Sequence, residues 1–324
     1  MSESLAPWQQ RVHDQAMATL SAGRLGHALL FDGPAVLGKR AVAERLAAYV
    51  LSGGEPAAEA RNRPLIAAGT HPDLHVVSFV PNKEGTRLRT EIVIEQIREL
   101  GQQLALTPQY GRAQVAIIDP ADALNTSACN ALLKTLEEPA PGRYLWLVSA
   151  RPGRLPATIR SRCQRLEFRL PPRDEAAAWL HARGHAVPAA AEALDAARGH
   201  PGLADEWLRG DGLALRREVA TDMAAMEAGR LEPLEAATRW TADDHAAERL
   251  RHAAEHALGL GRAQAAGTGL TDPDRLHKLG AWFDAANRAR ELLRSTVRAD
   301  LVMADLLLAW RDASRPQAGK GDNR

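Results

Sequence analysis

Gly33-Pro34-Ala35-Val36-Leu37-Gly38-Lys39-Arg40 is the stretch on which the reading of this chain turns. It fits the glycine-rich loop that wraps phosphates at every fixed position except the last. In such a loop backbone N–H groups surround the anion and the lysine meets its terminal oxygens. A Ser or Thr hydroxyl after the lysine holds Mg²⁺. Arg40 stands in the hydroxyl's place, and a guanidinium repels a cation rather than ligating it. Upstream, His27-Ala28-Leu29-Leu30-Phe31 is a short apolar run between Gly26 and Gly33, the pattern of a strand buried on both faces. Downstream, Val42, Leu46 and Val50 recur at helical spacing. Strand, glycine loop and helix open a βαβ unit, and that context separates a phosphate loop from a chance glycine turn.

The pattern continues past the loop. Residues 52–63 carry Gly, Ala and Glu without periodicity and read as a loop. Residues 74–80 form a second strand candidate. Residues 91–106 read as a helix with Ile92, Ile97, Leu100 and Leu104 roughly on one face. Strands are expected at 114–118, 145–149 and 165–168. Between the first two of these lies a helix over 125–138, with Asn125, Thr126 and Ser127 as cap candidates and Pro139 as its stop. Strands alternating with helices argue for a parallel sheet covered by helices on both faces. Pro171-Pro172 marks a hinge, because proline fixes φ and removes a backbone donor. Beyond it no strand is expected. Residues 171–209 read as a small helical group broken at Gly184, Pro188 and 199–202. Residues 210–313 read as an Ala-, Leu- and Arg-rich helical bundle with breaks near Pro233 and around 261–273. The tail, 314–324, lacks apolar residues and is expected to be disordered.

Bulk composition narrows the function class. At 324 residues the chain is long for one core. Its formal net charge of +1 argues against a dedicated nucleic-acid coat, which needs a local excess of cations. Two cysteines, Cys129 and Cys163, make no disulfide framework and fit a reducing compartment. Neither a signal-peptide pattern nor an 18-residue apolar run is read, so a cytoplasmic protein with no membrane span is expected.

The end of the third strand tests the loop's chemistry. Hydrolysis in such a site needs an aspartate for the metal and a glutamate to polarise the attacking water. The chain reads Ala116-Ile117-Ile118-Asp119-Pro120-Ala121-Asp122. Asp119 remains, either for metal or as a strand-end cap for the next loop. Pro120 occupies the glutamate's place and has neither a side-chain oxygen nor an amide hydrogen. Asp122, two residues on, is expected to point elsewhere. Arg40 and Pro120 damage the same reaction, so the site reads as catalytically dead. Lys39 and the loop amides, with Gly33 and Gly38 shaping them, keep nucleotide binding without hydrolysis open.

Two further stretches carry a resemblance. Asn130-Ala131-Leu132-Leu133-Lys134-Thr135-Leu136-Glu137-Glu138-Pro139 resembles the ALLKTLEEP segment of bacterial DNA polymerase III clamp-loader subunits, members of the AAA+ class. Leu155-Pro156-Ala157-Thr158-Ile159-Arg160-Ser161-Arg162-Cys163 resembles their Ser-Arg-Cys motif. Both occur in the active gamma/tau ATPases and in the delta-prime family. The stretches Ala68-Gly69-Thr70-His71-Pro72-Asp73 and Gly26-His27-Ala28-Leu29-Leu30-Phe31 look more like delta-prime. The resemblance covers 1–170 and implies an α/β AAA+ nucleotide-binding-like domain there. It implies a helical lid at 171–209 and an all-α oligomerisation collar at 210–313.

What the resemblance implies for function follows residue by residue. In this family ATP lies between subunits of a pentamer that loads a sliding clamp onto primed DNA. Partners would be gamma/tau and delta subunits, with the clamp and primer–template DNA met through the complex. Arg162 matches the arginine that reaches a neighbour's γ-phosphate in trans, against the plainer reading of a surface arginine among Arg154, Arg160 and Arg165. Ser161 would position its turn, and Cys163 would be a small buried residue. Gly202 falls where active members carry a nucleotide-sensing arginine, and Ser149 where the first sensor lies. Many relatives hold zinc through four cysteines inserted after the loop helix. Residues 52–68 contain neither Cys nor His, so no zinc is expected. The chain then belongs to a DNA-directed DNA polymerase assembly with neither polymerase nor ATPase activity of its own. The competing reading, an active gamma/tau-type ATPase, requires hydroxyl, glutamate and arginine at 40, 120 and 202, where Arg, Pro and Gly stand.

Overall fold

The computed structural model describes residues 4–81, 85, 88–111, 113–266, 273–293 and 297–314. Two compact units divide it, Met1–Asp205 and Glu206–Arg324.

The first unit is built on a five-stranded parallel sheet: β1 (Ala28–Asp32), β2 (Leu74–Val77), β3 (Gln114–Ile118), β4 (Arg143–Ser149) and β5 (Gln164–Glu167), in the order β2-β3-β4-β1-β5. Strand alternation divides its core in two. Leu29, Phe31, Val115, Ile117, Trp146 and Val148 face one side, where they pack with Val42 and Leu46 of α2 (Lys39–Ser52) and with Trp8 and Val12 of α1 (Pro7–Ser21). Ala28, Leu30, Ala116, Ile118, Leu145 and Leu147 face the other. There they meet α4 (Ile94–Ala105), α5 (Thr126–Glu137) and the short α6 (Ala157–Arg160). The near-continuous apolar strands are what burial on both faces demands. This is the α/β AAA+ fold that the resemblance implied.

Four local expectations change. Residues 52–63 are not a loop: α3 runs over Pro56–Ala67, with Pro56 at its first turn and Glu59 paired to Arg63 one turn on. It buries only Asn62 and Ile66, so it has no apolar stripe for a periodicity test to find. The second strand stops at Val77 rather than at 80. The helix expected from 91 begins at Ile94; Ile92 is buried but lies before it, bridged to Leu124. Pro188 does not break a helix but opens one, in the first turn of α8 (Val187–Ala196), between α7 (Arg173–Ala182) and α9 (Pro201–Arg209).

The second unit holds helices alone: α10 (Gly212–Glu227), α11 (Pro233–Trp240), α12 (Ala246–Ala266), α13 (Pro273–Leu292) and α14 (Ala299–Ser314). The break expected from 261 comes later, since α12 continues to Ala266. Trp240, Trp282 and Trp310 centre its core. Each indole N–H finds a buried acceptor, at Asp222, the Leu306 carbonyl and the Met223 carbonyl respectively. Of the tail expected to be disordered, 314–324, Ser314 still belongs to α14, and 315–324 lie outside the described residues.

Candidate functional site

The carboxyl ends of parallel strands are where an α/β sheet presents its loops to a ligand. Here β1, β3 and β4 bring Asp32-Gly33, Asp119 and Ser149 to that edge, with Asp32 in register with Ser149. Gly33 (φ +137°) and Gly38 (φ +78°) turn the loop. At Gly33 a Cβ would overlap the Phe168 carbonyl, and at Gly38 the Gln9 side chain, so both positions require glycine.

The chain itself occupies the loop's polar groups. Trp8 Nε1 and Gln9 Nε2 of α1 each donate to the Leu37 carbonyl at 3.1 Å. The Lys39 ammonium donates to the carbonyls of Gly33 (2.8 Å) and Pro34 (2.5 Å). From the start of α9, His200 donates through Nε2 to the Ala35 carbonyl at 2.7 Å, while its Nδ1 accepts from the Leu203 amide at 3.2 Å. Those two bonds fix the imidazole tautomer. Gly202 lies so close to Val36 that a Cβ would overlap the Val36 carbonyl oxygen. Val36 itself holds a positive φ of 59°, unusual for a β-branched residue.

The metal side is occupied by an ion pair. Arg40 donates Nε to Glu44 at 2.6 Å and approaches Asp119 with Nη1 at 3.5 Å. Burial raises the Asp119 pKa, and the Arg40 charge opposes the rise. Asp122 points toward the end of β4. Its carboxylate accepts from Ser149 Oγ (2.8 Å), the Ala150 amide (3.0 Å) and Arg151 Nε (3.4 Å). Burial pushes this carboxyl up, but those bonds outweigh it and hold its pKa below the usual range. The Ser149 hydroxyl is thereby committed to Asp122. A catalytic metal does not fit these residues, because Arg40, paired with Glu44 and Asp119, stands at the cation's place.

Arg162 and Ser161 follow α6, away from the loop. Arg162 Nη1 donates to the Thr158 carbonyl at 2.9 Å, and Ser161 Oγ donates to the same carbonyl at 3.2 Å. Arg162 Nη2 pairs with Glu137 Oε1 at 2.7 Å. Cys163 is buried, its thiol pKa pushed up to about 11 by desolvation, which suits a packing role. His71-Pro72-Asp73, noted in the sequence only as a likeness, is a structural clamp. His71 Nδ1 accepts from the Asp73 amide, and the Asp73 carboxylate accepts the amides of Gln109 and Tyr110 at 2.7 Å each. Among the described residues no cluster of three or more His, Cys, Asp or Glu could hold a metal, and no helix is long and apolar enough to cross a membrane.

Comparison with known proteins adds names to this geometry. The family model described as DNA polymerase III, delta subunit, matches residues 8–172. The chain is 38% identical over 218 residues to DNA polymerase III subunit delta' of Pseudomonas aeruginosa, covering 65% of this chain and 63% of that one. It is 32% identical over 226 residues to the subunit delta' of Escherichia coli K12, covering 67% and 65%. The tau subunit of Bacillus subtilis is 30% identical over 165 residues, 50% of this chain and 28% of that one. The match thus spans a little under two thirds of the first two relatives. Among solved structures, a gamma subunit-related protein from Thermotoga maritima superposes with a TM-score of 0.45 at 17% identity, covering 96% of this chain and 100% of that one.

Proposed function

The chain belongs to the DNA polymerase III delta-subunit family, and from that premise we propose that it serves as the delta' subunit of a clamp loader. In this reading it contributes no ATP hydrolysis of its own. It joins gamma/tau and delta subunits in a hetero-pentamer in the cytoplasm, and the assembly places a sliding clamp on primed DNA during replication. Residues 1–170 act as the AAA+ body, 171–209 as its lid and 210–313 as the oligomerisation collar. Arg162 enters the ATP site of a neighbouring subunit, with Ser161 fixing its turn.

One contrast carries the reading. The Lys39 ammonium is taken by two carbonyls of its own loop, while the Arg162 side chain is 37% exposed on the surface. A fixed positive charge placed where phosphoryl transfer gathers negative charge accelerates it by ~10³–10⁵-fold. The alternative, an active gamma/tau-type ATPase, has Arg40, Pro120 and Gly202 against it.

The test has two arms. The isolated chain is expected to show no ATP turnover above background. In a reconstituted clamp loader, Arg162→Ala is expected to slow hydrolysis at the adjoining site by ~10³-fold and to impair clamp loading. Normal turnover by the isolated chain, or an unaffected complex carrying Arg162→Ala, would end this reading.

A further inference from the structure

The two stretches that carried the resemblance meet at a single ion pair. Glu137 is the last residue of α5, and Arg162 follows the end of α6. Their backbones are anchored by core neighbours, Leu136 on one side and Ile159 and Cys163 on the other, all in one buried cluster. Only the side chains are left to find each other, and they do so at 2.7 Å.

The position of Glu137 has a local cost. A carboxylate in the last turn of a helix faces the negative end of the helix dipole. Exposed ion pairs contribute little to stability, and this one is open to solvent, with side-chain exposures of 37% for Arg162 and 49% for Glu137. Fold stability therefore does not account for the pair. Orientation does. Glu137 Oε1 lies 2.7 Å from Nη2 as an ion pair and the Thr158 carbonyl accepts from Nη1, so a charge at one terminal nitrogen and a hydrogen bond at the other hold the guanidinium. Each terminal nitrogen carries two N–H donors, and Nη1 gives one of its two to Thr158. An arginine held from two points reaches an incoming anion with less of its rotamer freedom still to lose.

We propose that Glu137 is a positioning residue for Arg162, holding its guanidinium oriented for the terminal phosphate bound by the neighbouring subunit. This rests on the trans role of Arg162 described above.

The experiment uses the reconstituted clamp loader with ATP and a set of variants: Arg162→Ala, Glu137→Gln, Glu137→Asp, and Glu137→Gln combined with Arg162→Ala. Glu137→Gln is expected to lower kcat at the adjoining site about tenfold with KM for ATP unchanged, the signature of misplacement rather than lost substrate binding. Glu137→Asp is expected to recover part of that loss. The double variant is expected to be no slower than Arg162→Ala alone, because Glu137 acts only through the arginine. A wild-type or raised kcat for Glu137→Gln beside an impaired Arg162→Ala would overturn the proposal, as would losses that multiply in the double variant. Assembly is followed by gel filtration, and a Glu137→Gln chain that fails to assemble also overturns it, in favour of an assembly role. An inert Arg162→Ala would instead strike the trans role itself.

Discussion

The ammonium of Lys39 lies near Asp119, Asp122 and Asp32, yet its pKa is pushed down to about 8 because burial outweighs their attraction. The sign of the linkage is fixed by that direction. The folded chain releases this proton more readily than the unfolded one, whose lysine keeps its ordinary value near 10.5. Between these two pH values the unfolded state binds more protons, so Lys39's contribution to stability rises with pH. It is present in full above the upper value and lost as pH falls through the lower one. Urea unfolding from pH 7.5 to 10.5 is expected to show a rising component that Lys39→Met abolishes, whatever the variant's absolute stability. A variant with the same slope as the parent chain would place the ammonium in water rather than inside the loop. Arg40 is the other residue that decides the site: its bonds to Glu44 and Asp119 turn a cation's seat into an ion pair.

At the scale of elements, Asp73 couples the start of β2 to the segment entering β3. Its two oxygens accept the amides of Gln109 and Tyr110, and it is buried. Asp73→Ala leaves both amides without their partner and is expected to cost about 2–3 kcal/mol in denaturant unfolding. A loss under 0.5 kcal/mol would show that water replaces the carboxylate there. The element scale also separates what could be read from residues alone. The core strands were legible because burial on both faces forces an unbroken apolar run, as in Gln114–Ile118. The cap at Asn125 was legible because its side chain has one local task, accepting the Ala128 amide at 2.9 Å. The helix α3 was not, because its buried face is little more than Asn62 and Ile66. Arg40, Pro120 and Gly202 could be flagged by residue type. Their consequences could not, since the Arg40–Asp119 pair spans 79 residues and the His200–Ala35 bond 165. The Glu137–Arg162 pair escaped for the same reason: two familiar motifs carry no signal that they touch.

For the molecule as a whole, the two units are built on separate cores. The α/β unit packs two apolar layers against one sheet, and the helical unit packs a separate layer around its tryptophans. Trp282 and Trp310 stack edge-on at 4.8 Å, and Trp310 is fully buried. Trp310→Ala removes one of the two tryptophans at the meeting of α14 with α13 and is expected to cost the helical unit about 3–5 kcal/mol. Faster hydrogen exchange in α13 and α14 would report it. Unchanged exchange there would mean that the cavity collapses and another side chain fills it. Tryptophans placed this way supply the apolar surface that a helix-only unit needs, since its Ala-rich helices bury little area each.

The contact between Gly202 and the Val36 carbonyl has a consequence for what can stand at 202. Any side chain at 202 meets that oxygen before it gains a phosphate to sense. The Val36 segment is flanked by the bonds of His200 to Ala35 and of Trp8 and Gln9 to Leu37, so a single substitution does not open it. On the loop's other flank the Lys39 ammonium is bonded to the carbonyls of Gly33 and Pro34. Position 202 is closed to any side chain unless the loop moves first, so a change there and a change in the loop have to come together.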